Sequence, residues 1–221
     1  MGEYKLFAKR IGLIGLSNLL VNLSGVILLP ILTKNLPIEE YGVYAQIIVT
    51  IGLIPSIALL GLPYTMVRFL AEEKDRERIR EGFYSIYFIV LFMGAIAALA
   101  LFLSSNLIAS LLFDGDQTVV KILSGIIFVE CSNTSLYNYF RTFQQMKRYS
   151  LFMLIQTILN MLLIAYFVLS GYGIKGVAIG ILITRVSIFI VMAIPIIAKI
   201  GVKIPEFANT REYLAFGIPT V

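Results

Sequence analysis

Long uncharged segments dominate this sequence and limit what it can fold into. Four of them contain no Asp, Glu, Lys or Arg: residues 11–33, 41–67, 82–113 and 149–174. Two more contain a single charge each, residues 122–140 with Glu130 and residues 176–198 with Arg185. A helix needs about 20 apolar residues to cross the ~30 Å hydrocarbon core of a bilayer. The six segments therefore predict an all-α, polytopic membrane protein, a bundle of six transmembrane helices.

The composition argues against a soluble fold. Hydrophobic residues make up 59% of the 221 residues and charged residues 14%, whereas a soluble domain has roughly 25% charged residues. A soluble protein that buried six such helices would have almost no polar surface. The connections are short, and the longest, residues 68–82, carries closely spaced charges of both signs. That pattern predicts a solvated helical continuation of a spanning segment.

Basic residues mark one side of the predicted bundle. Fourteen of the 18 Lys and Arg residues precede the first segment, follow the sixth, or lie between the second and third or the fourth and fifth. The opposite connections contain only Lys34, Lys121 and Lys175. Since basic loops stay in the cytoplasm, we predict a cell-membrane protein with its N-terminus and the end of this chain on the cytoplasmic side. The net charge of +5 is then a topology signal, and we predict no nucleic-acid partner.

The sequence contains none of the common motifs of enzymes. It has no G-x-x-x-x-G-K-[ST] phosphate loop, no histidine, and a single cysteine, Cys131, so P-loop hydrolysis, Ser-His-Asp catalysis and cysteine-rich metal sites are excluded. We predict a non-enzyme with no cofactor and no metal. One alternative stays open: a membrane enzyme or assembly protein of surface-glycan synthesis, which would use loop acids such as Glu39, Glu40, Asp114 and Asp116.

Several predicted helices carry amide side chains one turn apart. The first contains Asn18 and Asn22, and the fifth contains Gln156 and Asn160. Such residues either hold membrane helices together or line a cavity, and the spacing does not separate the two roles. The G-x-x-x-G of residues 176–180 favours close helix packing.

Glu130 and Arg185 are predicted to lie at the same depth. Glu130 is nine residues beyond Lys121 and Arg185 is ten beyond Lys175, which places both about 14 to 15 Å into the membrane. A lone charge at that depth costs about 2.5 to 3.5 kcal/mol on insertion scales. The two residues therefore either pair directly or line a hydrated cavity for a charged ligand. An ion pair that only holds two helices together, or a protonated Glu130, would also satisfy the pattern.

Residues 28–46 (LLPILTKNLPIEEYGVYAQ) and 58–75 (ALLGLPYTMVRFLAEEKD) resemble the first two helices of polysaccharide-unit flippases. These flippases belong to the multidrug/oligosaccharidyl-lipid/polysaccharide exporter superfamily. The similar positions are Leu29 and Pro30, Tyr41 and Gly42, Gly61 and Leu62, and Arg68 and Phe69. Residues 171–184 resemble the turn from the family's fifth helix to its sixth, and residues 213–221 the opening of its seventh.

The resemblance implies two six-helix bundles that face each other across a central cavity. By alternating access they would move a polyprenyl-diphosphate-linked oligosaccharide from the cytoplasmic leaflet to the outer one. Residues 1–221 would then form the N-terminal transmembrane lobe, with the C-terminal lobe missing and the seventh helix starting at about residue 213. A six-helix half that dimerises is the alternative.

The resemblance also suggests roles for the polar residues. Arg185 would attract the diphosphate inside the cavity, and Arg68 and Arg141 would receive the head group on entry. The amides of Asn18, Asn22, Gln156 and Asn160 would hydrogen-bond sugar hydroxyls, and Glu130 would carry a coupling ion, proton or sodium, or balance Arg185. A drug or cation antiporter of the same superfamily is a further alternative, although its members commonly carry an acidic residue on the first helix and residues 11–33 have none.

Overall fold

The computed structural model describes residues 2–59, 61–207 and 210–217, and these ranges contain helices and no strands. The nine helices are α1 Gly2–Asn35, α2 Ile38–Ala58, α3 Leu62–Leu70, α4 Arg76–Leu103, α5 Ser105–Leu112, α6 Gln117–Thr142, α7 Met146–Leu169, α8 Gly173–Ile200 and α9 Thr210–Gly217. Six of them, α1, α2, α4, α6, α7 and α8, are long and apolar enough to cross a membrane. The all-α membrane fold predicted from the sequence is thus confirmed. The predicted seventh segment begins within α9, and its residues 218–221 lie outside the described ranges.

Helix α6 forms the centre of the bundle. It packs against α4 and α8 along most of its length, and it also contacts α2, α3, α5 and α7. Its buried residues accordingly face in several directions, among them Val120, Ile127, Ser135 and Phe140. The outermost of the spanning helices is α1, which packs mainly against α7 and barely contacts α2. The weak contact between α1 and α2 leaves one side of α6 partly uncovered.

The segment 41–67, predicted as one helix, is two helices in the structure. Helix α2 ends at Ala58 and α3 starts at Leu62. Between them Gly61 has φ 67° and ψ 2°, a left-handed conformation that glycine adopts without steric cost. Pro63 then lies at the start of α3, where its missing N–H has no helical partner to lose. The break changes the direction of the chain beside α6.

Two further boundaries differ from the predicted ones. The segment 82–113 divides at Ser104, whose hydroxyl donates to the Ala100 carbonyl one turn earlier, a bond that often bends helices. The predicted continuous helix over 68–82 is wrong for residues 71–75, which are not helical. There the Asp75 carboxylate accepts a hydrogen bond from the Glu77 N–H at 3.0 Å and starts α4 as its N-cap.

The glycines of the G-x-x-x-G motif lie in the contact between α7 and α8, as predicted. A Cβ on Gly176 would approach the Phe167 Cβ to 2.9 Å, and a Cβ on Gly180 would approach the Phe167 ring to 3.2 Å and the Leu163 backbone to 3.4 Å. Side chains at these positions would push the two helices apart. Close packing is therefore what these glycines provide.

The basic end of the bundle is the end that contains Arg68, Arg76, Arg141 and Lys199. Here the connector of residues 201–207, between α8 and α9, is fastened to α4. Glu81 accepts a hydrogen bond from the Glu206 N–H at 2.7 Å and pairs with Lys203 at 3.2 Å. The hydrogen bond to the Glu81 carboxylate raises the pKa of Lys203 above its usual value. Tyr84 adds a hydrogen bond to the Gly201 carbonyl at 2.8 Å.

Candidate functional site

The two charged residues of the predicted interior form an ion pair. Glu130 lies near the middle of α6 and Arg185 near the middle of α8, and Glu130 Oε2 is 3.0 Å from Arg185 Nε. Both side chains are mostly buried, with exposed fractions of 19% and 15%. Each charge thus has its counterion inside the bundle, as charges within a membrane require. The direct pair, one of the arrangements that the sequence left open, is the one that the structure contains.

Hydrogen bonds extend this polar interior to the neighbouring helices. The Asn133 amide donates to the Arg185 carbonyl at 3.0 Å and joins α6 to α8. The Tyr137 hydroxyl donates to the Gln156 amide oxygen at 2.7 Å and joins α6 to α7. Because buried polar groups need partners in a low-dielectric interior, these bonds fix the rotation of α6 relative to α7 and α8.

Two cavities border the partly uncovered side of α6. The larger, of about 470 Å³, lies between α6 and the break that separates α2 from α3. The smaller, of about 270 Å³, lies between α6, α1 and α7. Both are lined by Thr134, Asn138 and Arg141, which are spaced by four and three residues on one face of α6. We call the two cavities together the α6 groove.

The lining of the α6 groove is neutral apart from one cation. The larger cavity adds the polar groups of Ser56 and Tyr64, and the smaller adds those of Tyr137, Tyr149, Gln156 and Thr157. Among the residues that the structure describes, no carboxylate lines either cavity. Arg141 is exposed and contacts the Asn138 amide oxygen at 3.5 Å. In the described ranges it has no ion-pair partner. The groove therefore combines an uncompensated guanidinium with hydroxyl and amide groups.

The predicted site residues divide into three groups. Arg141 and Gln156 line the α6 groove. Glu130 and Arg185 pair behind it and line neither of its cavities. The other four lie outside its lining: Asn18 and Asn22 are exposed on α1, Arg68 is exposed near the end of α3, and Asn160 is partly buried on α7. Roles for these residues in binding remain predictions.

Sequence reasoning missed some of the groove. Asn138 follows Thr134 by one helical turn, so the two lie on the same face of α6. Tyr64 and Tyr149 lie near the ends of uncharged segments, a position typical of aromatic residues at the membrane interface, yet in the structure both line the groove. Only the helix break at Gly61 brings Tyr64 to α6, and hydropathy does not register such a break.

Two of the loop acids that an enzyme would need have structural partners. The Glu40 carboxylate accepts a hydrogen bond from the Ile174 N–H at 2.8 Å, which caps the start of α8. Asp116 accepts hydrogen bonds from the first turn of α6 and pairs with Lys175 at 3.3 Å. Both carboxylates thus join helix ends at the end of the bundle opposite the basic end.

Comparison with known families assigns the chain. A family model described as "Polysaccharide biosynthesis protein" matches residues 7–221, nearly the whole sequence. The chain belongs to this family. This membership confirms the exporter superfamily that the sequence resembled. Comparison with curated proteins gives no match.

Two solved structures have a fold similar to that of this chain. A multidrug resistance MATE family transporter of the MOP superfamily, in an outward-facing conformation, is similar with a TM-score of 0.67 and 19% identity over 93% of this chain. A MATE in complex with Br-NRF is similar with a TM-score of 0.66 and 21% identity over 94% of this chain. The family member described here spans 47% and 50% of those two chains. Its fold is therefore that of half a MATE transporter.

Proposed function

We propose that this chain is one lobe of an exporter that moves a polyprenyl-diphosphate-linked oligosaccharide across the cytoplasmic membrane. Membership of the polysaccharide biosynthesis family supports a glycan substrate, and the half-transporter fold supports movement across a membrane. A second lobe would complete the central cavity, and the α6 groove would form part of its wall. The basic end would face the cytoplasm, following the positive-inside rule.

The charge of the α6 groove is the observation that carries this proposal. Its one charged lining residue is Arg141, which has no carboxylate partner in the described ranges. A guanidinium binds phosphate oxygens with two parallel hydrogen bonds, so Arg141 suits a diphosphate. The hydroxyl of Tyr149 and the amides of Asn138 and Gln156 suit the hydroxyls of a sugar. A cationic substrate would find no counterion in this lining.

Transport by the full-length protein tests this assignment. The protein is reconstituted into liposomes that contain a fluorescent polyprenyl-diphosphate sugar, and the fraction accessible to an added quencher or sugar-modifying enzyme is followed over time. We expect Arg141→Gln to slow translocation at least tenfold, because the diphosphate loses its cation. Arg148→Gln is the matched control, since Arg148 is exposed at the same end, bonds Gln145 and does not line the groove. Equal rates for wild type and Arg141→Gln would contradict the proposal.

A drug or cation antiporter is the second candidate, because both structural neighbours are MATE transporters. The described groove argues against it, since the nearby carboxylate of Glu130 is already neutralised by Arg185. Uptake of a fluorescent cationic drug into the same liposomes separates the two functions. Drug uptake without movement of the glycan lipid would favour the antiporter.

The coupling ion is tested with the same preparation. We propose that the interior carboxylate of Glu130 releases Arg185 and binds the coupling ion, a proton or sodium, in its place. Glycan-lipid movement is then measured with a proton gradient alone and with a sodium gradient alone. This role is supported if glycan-lipid movement depends on one of the two gradients in the wild type and no longer depends on it in Glu130→Gln.

An enzyme of surface-glycan synthesis predicts a different pattern of sensitive residues. Substitution of Glu39, Glu40, Asp114 and Asp116 by the corresponding amides would remove its activity, while the exporter depends on Arg141. Because Glu40 and Asp116 join helix ends, their variants are compared at equal amounts of folded protein.

A further inference from the structure

The basic end contains a third cavity on the opposite face of α6. It has a volume of about 280 Å³ and lies between the start of α4, the end of α6 and the end of α8. Tyr139 of α6 and Phe143, the residue after its end, line this cavity, whereas Arg141 lines the α6 groove. Tyr139 and Arg141 point about 200° apart on a helix with 3.6 residues per turn. This cavity, which we call the basic pocket, is therefore separate from the proposed substrate site.

Three cations converge on the basic pocket. Lys74 precedes α4, Arg76 is the first residue of α4, and Lys199 lies in the last turn of α8. None of the three has an ion-pair partner within the described part of the chain. Of the described residues that line the pocket, none carries a carboxylate. It is thus a concentrated positive site with no internal counterion.

The acids closest in sequence are already engaged. Glu73 and Asp75 pair with Arg78 at 3.8 Å each, and Asp75 also caps α4. Hydrogen bonds from the backbone N–H groups of residues 75 and 74 lower the pKa of Glu73, so Glu73 is negatively charged at neutral pH. Its charge is nevertheless paired with Arg78, and Lys74 and Arg76 stay without an ion-pair partner. The local sequence contains acids, but the fold directs them away from the pocket.

The rest of the lining is apolar and aromatic. Ile79 and Ile200 form walls on α4 and α8, and the Lys199 ammonium lies 5.6 Å from the centre of the Phe143 ring. That distance is within the range of a cation–π contact, which holds the ammonium over the pocket. The apolar walls continue along α8 into exposed residues such as Ile197. A ligand with a negative head and apolar tails would match both parts.

We propose that the basic pocket binds the phosphate head group of an anionic phospholipid from the surrounding bilayer, with phosphatidylglycerol as the probe. Basic pockets between transmembrane helices are a recurring way to recognise anionic lipid head groups. The phosphodiester would contact Lys74, Arg76 and Lys199, and the acyl chains would lie along α4 and α8. Lipid bound there would tie together the ends of three helices around α6.

Binding to the full-length protein in detergent tests this site. Thermal unfolding is followed while short-chain phosphatidylglycerol, short-chain phosphatidylcholine or inorganic phosphate is added. We expect phosphatidylglycerol to raise the melting temperature with saturation, and phosphatidylcholine and phosphate to leave it unchanged at equal concentrations. The combined change K74Q/R76Q/K199Q should weaken the apparent affinity for phosphatidylglycerol at least tenfold, and high salt should weaken wild-type binding in the same direction.

The control variant removes the same charge elsewhere at the basic end. K147Q/R148Q/R211Q eliminates three cations that do not line the basic pocket, and it should keep wild-type affinity. Equal loss of affinity in both triple variants would overturn the pocket in favour of a diffuse charge effect. Equal stabilisation by inorganic phosphate would overturn the lipid assignment. If the triple variant does not fold, each single substitution is measured, and wild-type affinity in all three would overturn the proposal.

Discussion

At the scale of single residues, the ion pair of Glu130 and Arg185 places two charges in the interior of the bundle, where desolvation is unfavourable. Two charges near the centre of a membrane are stable only while they neutralise each other. Here they are 3.0 Å apart, and Asn133 holds the Arg185 backbone in place with a hydrogen bond. The two partners differ in one respect. A carboxylate can take up a proton, whereas a guanidinium stays charged at any accessible pH.

This difference predicts unequal effects of the two single substitutions. Glu130→Gln leaves a buried guanidinium that cannot be neutralised, so we expect it to destabilise the full-length protein by about 3 kcal/mol. Arg185→Met leaves a carboxyl group, which also exists in a neutral form, so we expect a smaller loss of stability. Thermal unfolding in detergent measures both.

The double variant Glu130→Gln/Arg185→Met is the control for this prediction. It contains no buried charge, and its stability should return close to that of the wild type. A double variant as unstable as the worse single variant would contradict the assignment of the cost to an unpaired charge.

For single residues, the sequence predicted the position along the membrane normal better than the direction in which the side chain points. Matched distances from Lys121 and Lys175 placed Glu130 and Arg185 at one level, and the two side chains do meet there. By contrast, Asn18 and Asn22 share a stripe on α1, yet that stripe is exposed. Rotation of a helix about its axis depends on the neighbouring helices, and α1 has few of them.

At the scale of elements, the break between α2 and α3 shapes the larger cavity of the α6 groove. Gly61→Ala would force a side chain into the left-handed region, at a cost of roughly 1 to 2 kcal/mol. We expect a lower melting temperature and slower transport of the proposed substrate. Gly52→Ala is the control, because Gly52 is within α2 and a Cβ there meets nothing within 4 Å. It should leave stability unchanged or raise it. Equal destabilisation by the two substitutions would contradict this explanation.

Glu81 makes two of the polar contacts that fasten the connector between α8 and α9 to α4. Glu81→Gln removes the charge that pairs with Lys203 and weakens the bond from the Glu206 N–H. We expect faster hydrogen exchange across residues 201–207 in the full-length protein, measured by mass spectrometry. Glu77→Gln removes an ion pair with Arg80, and in the described ranges Glu77 makes no hydrogen bond or ion pair with the connector, so this variant should change exchange there much less than Glu81→Gln does. Unchanged exchange in Glu81→Gln would show that other contacts, such as the Tyr84 bond to Gly201, hold the connector.

Element boundaries were harder to predict than element number. Hydropathy sums over long windows, so it located six spans but passed over the break at Gly61 and the division at Ser104. Both depend on the torsion of one residue or one hydroxyl bond. The charges of residues 71–75 resembled a solvated helix, although the Asp75 side chain is used to start a new one.

At the scale of the whole molecule, α6 separates two chemically different surfaces. One face borders the α6 groove, with Arg141 among neutral polar groups. The opposite face borders the basic pocket, with its unpaired cations. The Glu130 pair and the Tyr137 bond fix the angle of α6 between them. If a ligand bound on one side and rotated α6, the residues that line the other side would therefore move as well.

The dependence of α1 on α7 affects how this bundle is assembled during synthesis. Helix α1 is made early, yet its main partner begins at Met146, and the 110 residues 36–145 lie between the two helices. At a synthesis rate of about 5 to 20 residues per second, on the order of ten seconds pass between the synthesis of α1 and that of α7. Neighbouring pairs such as α7 and α8 need no such delay. The smaller cavity of the α6 groove, which α1 and α7 border, therefore forms only after α7 has been synthesised.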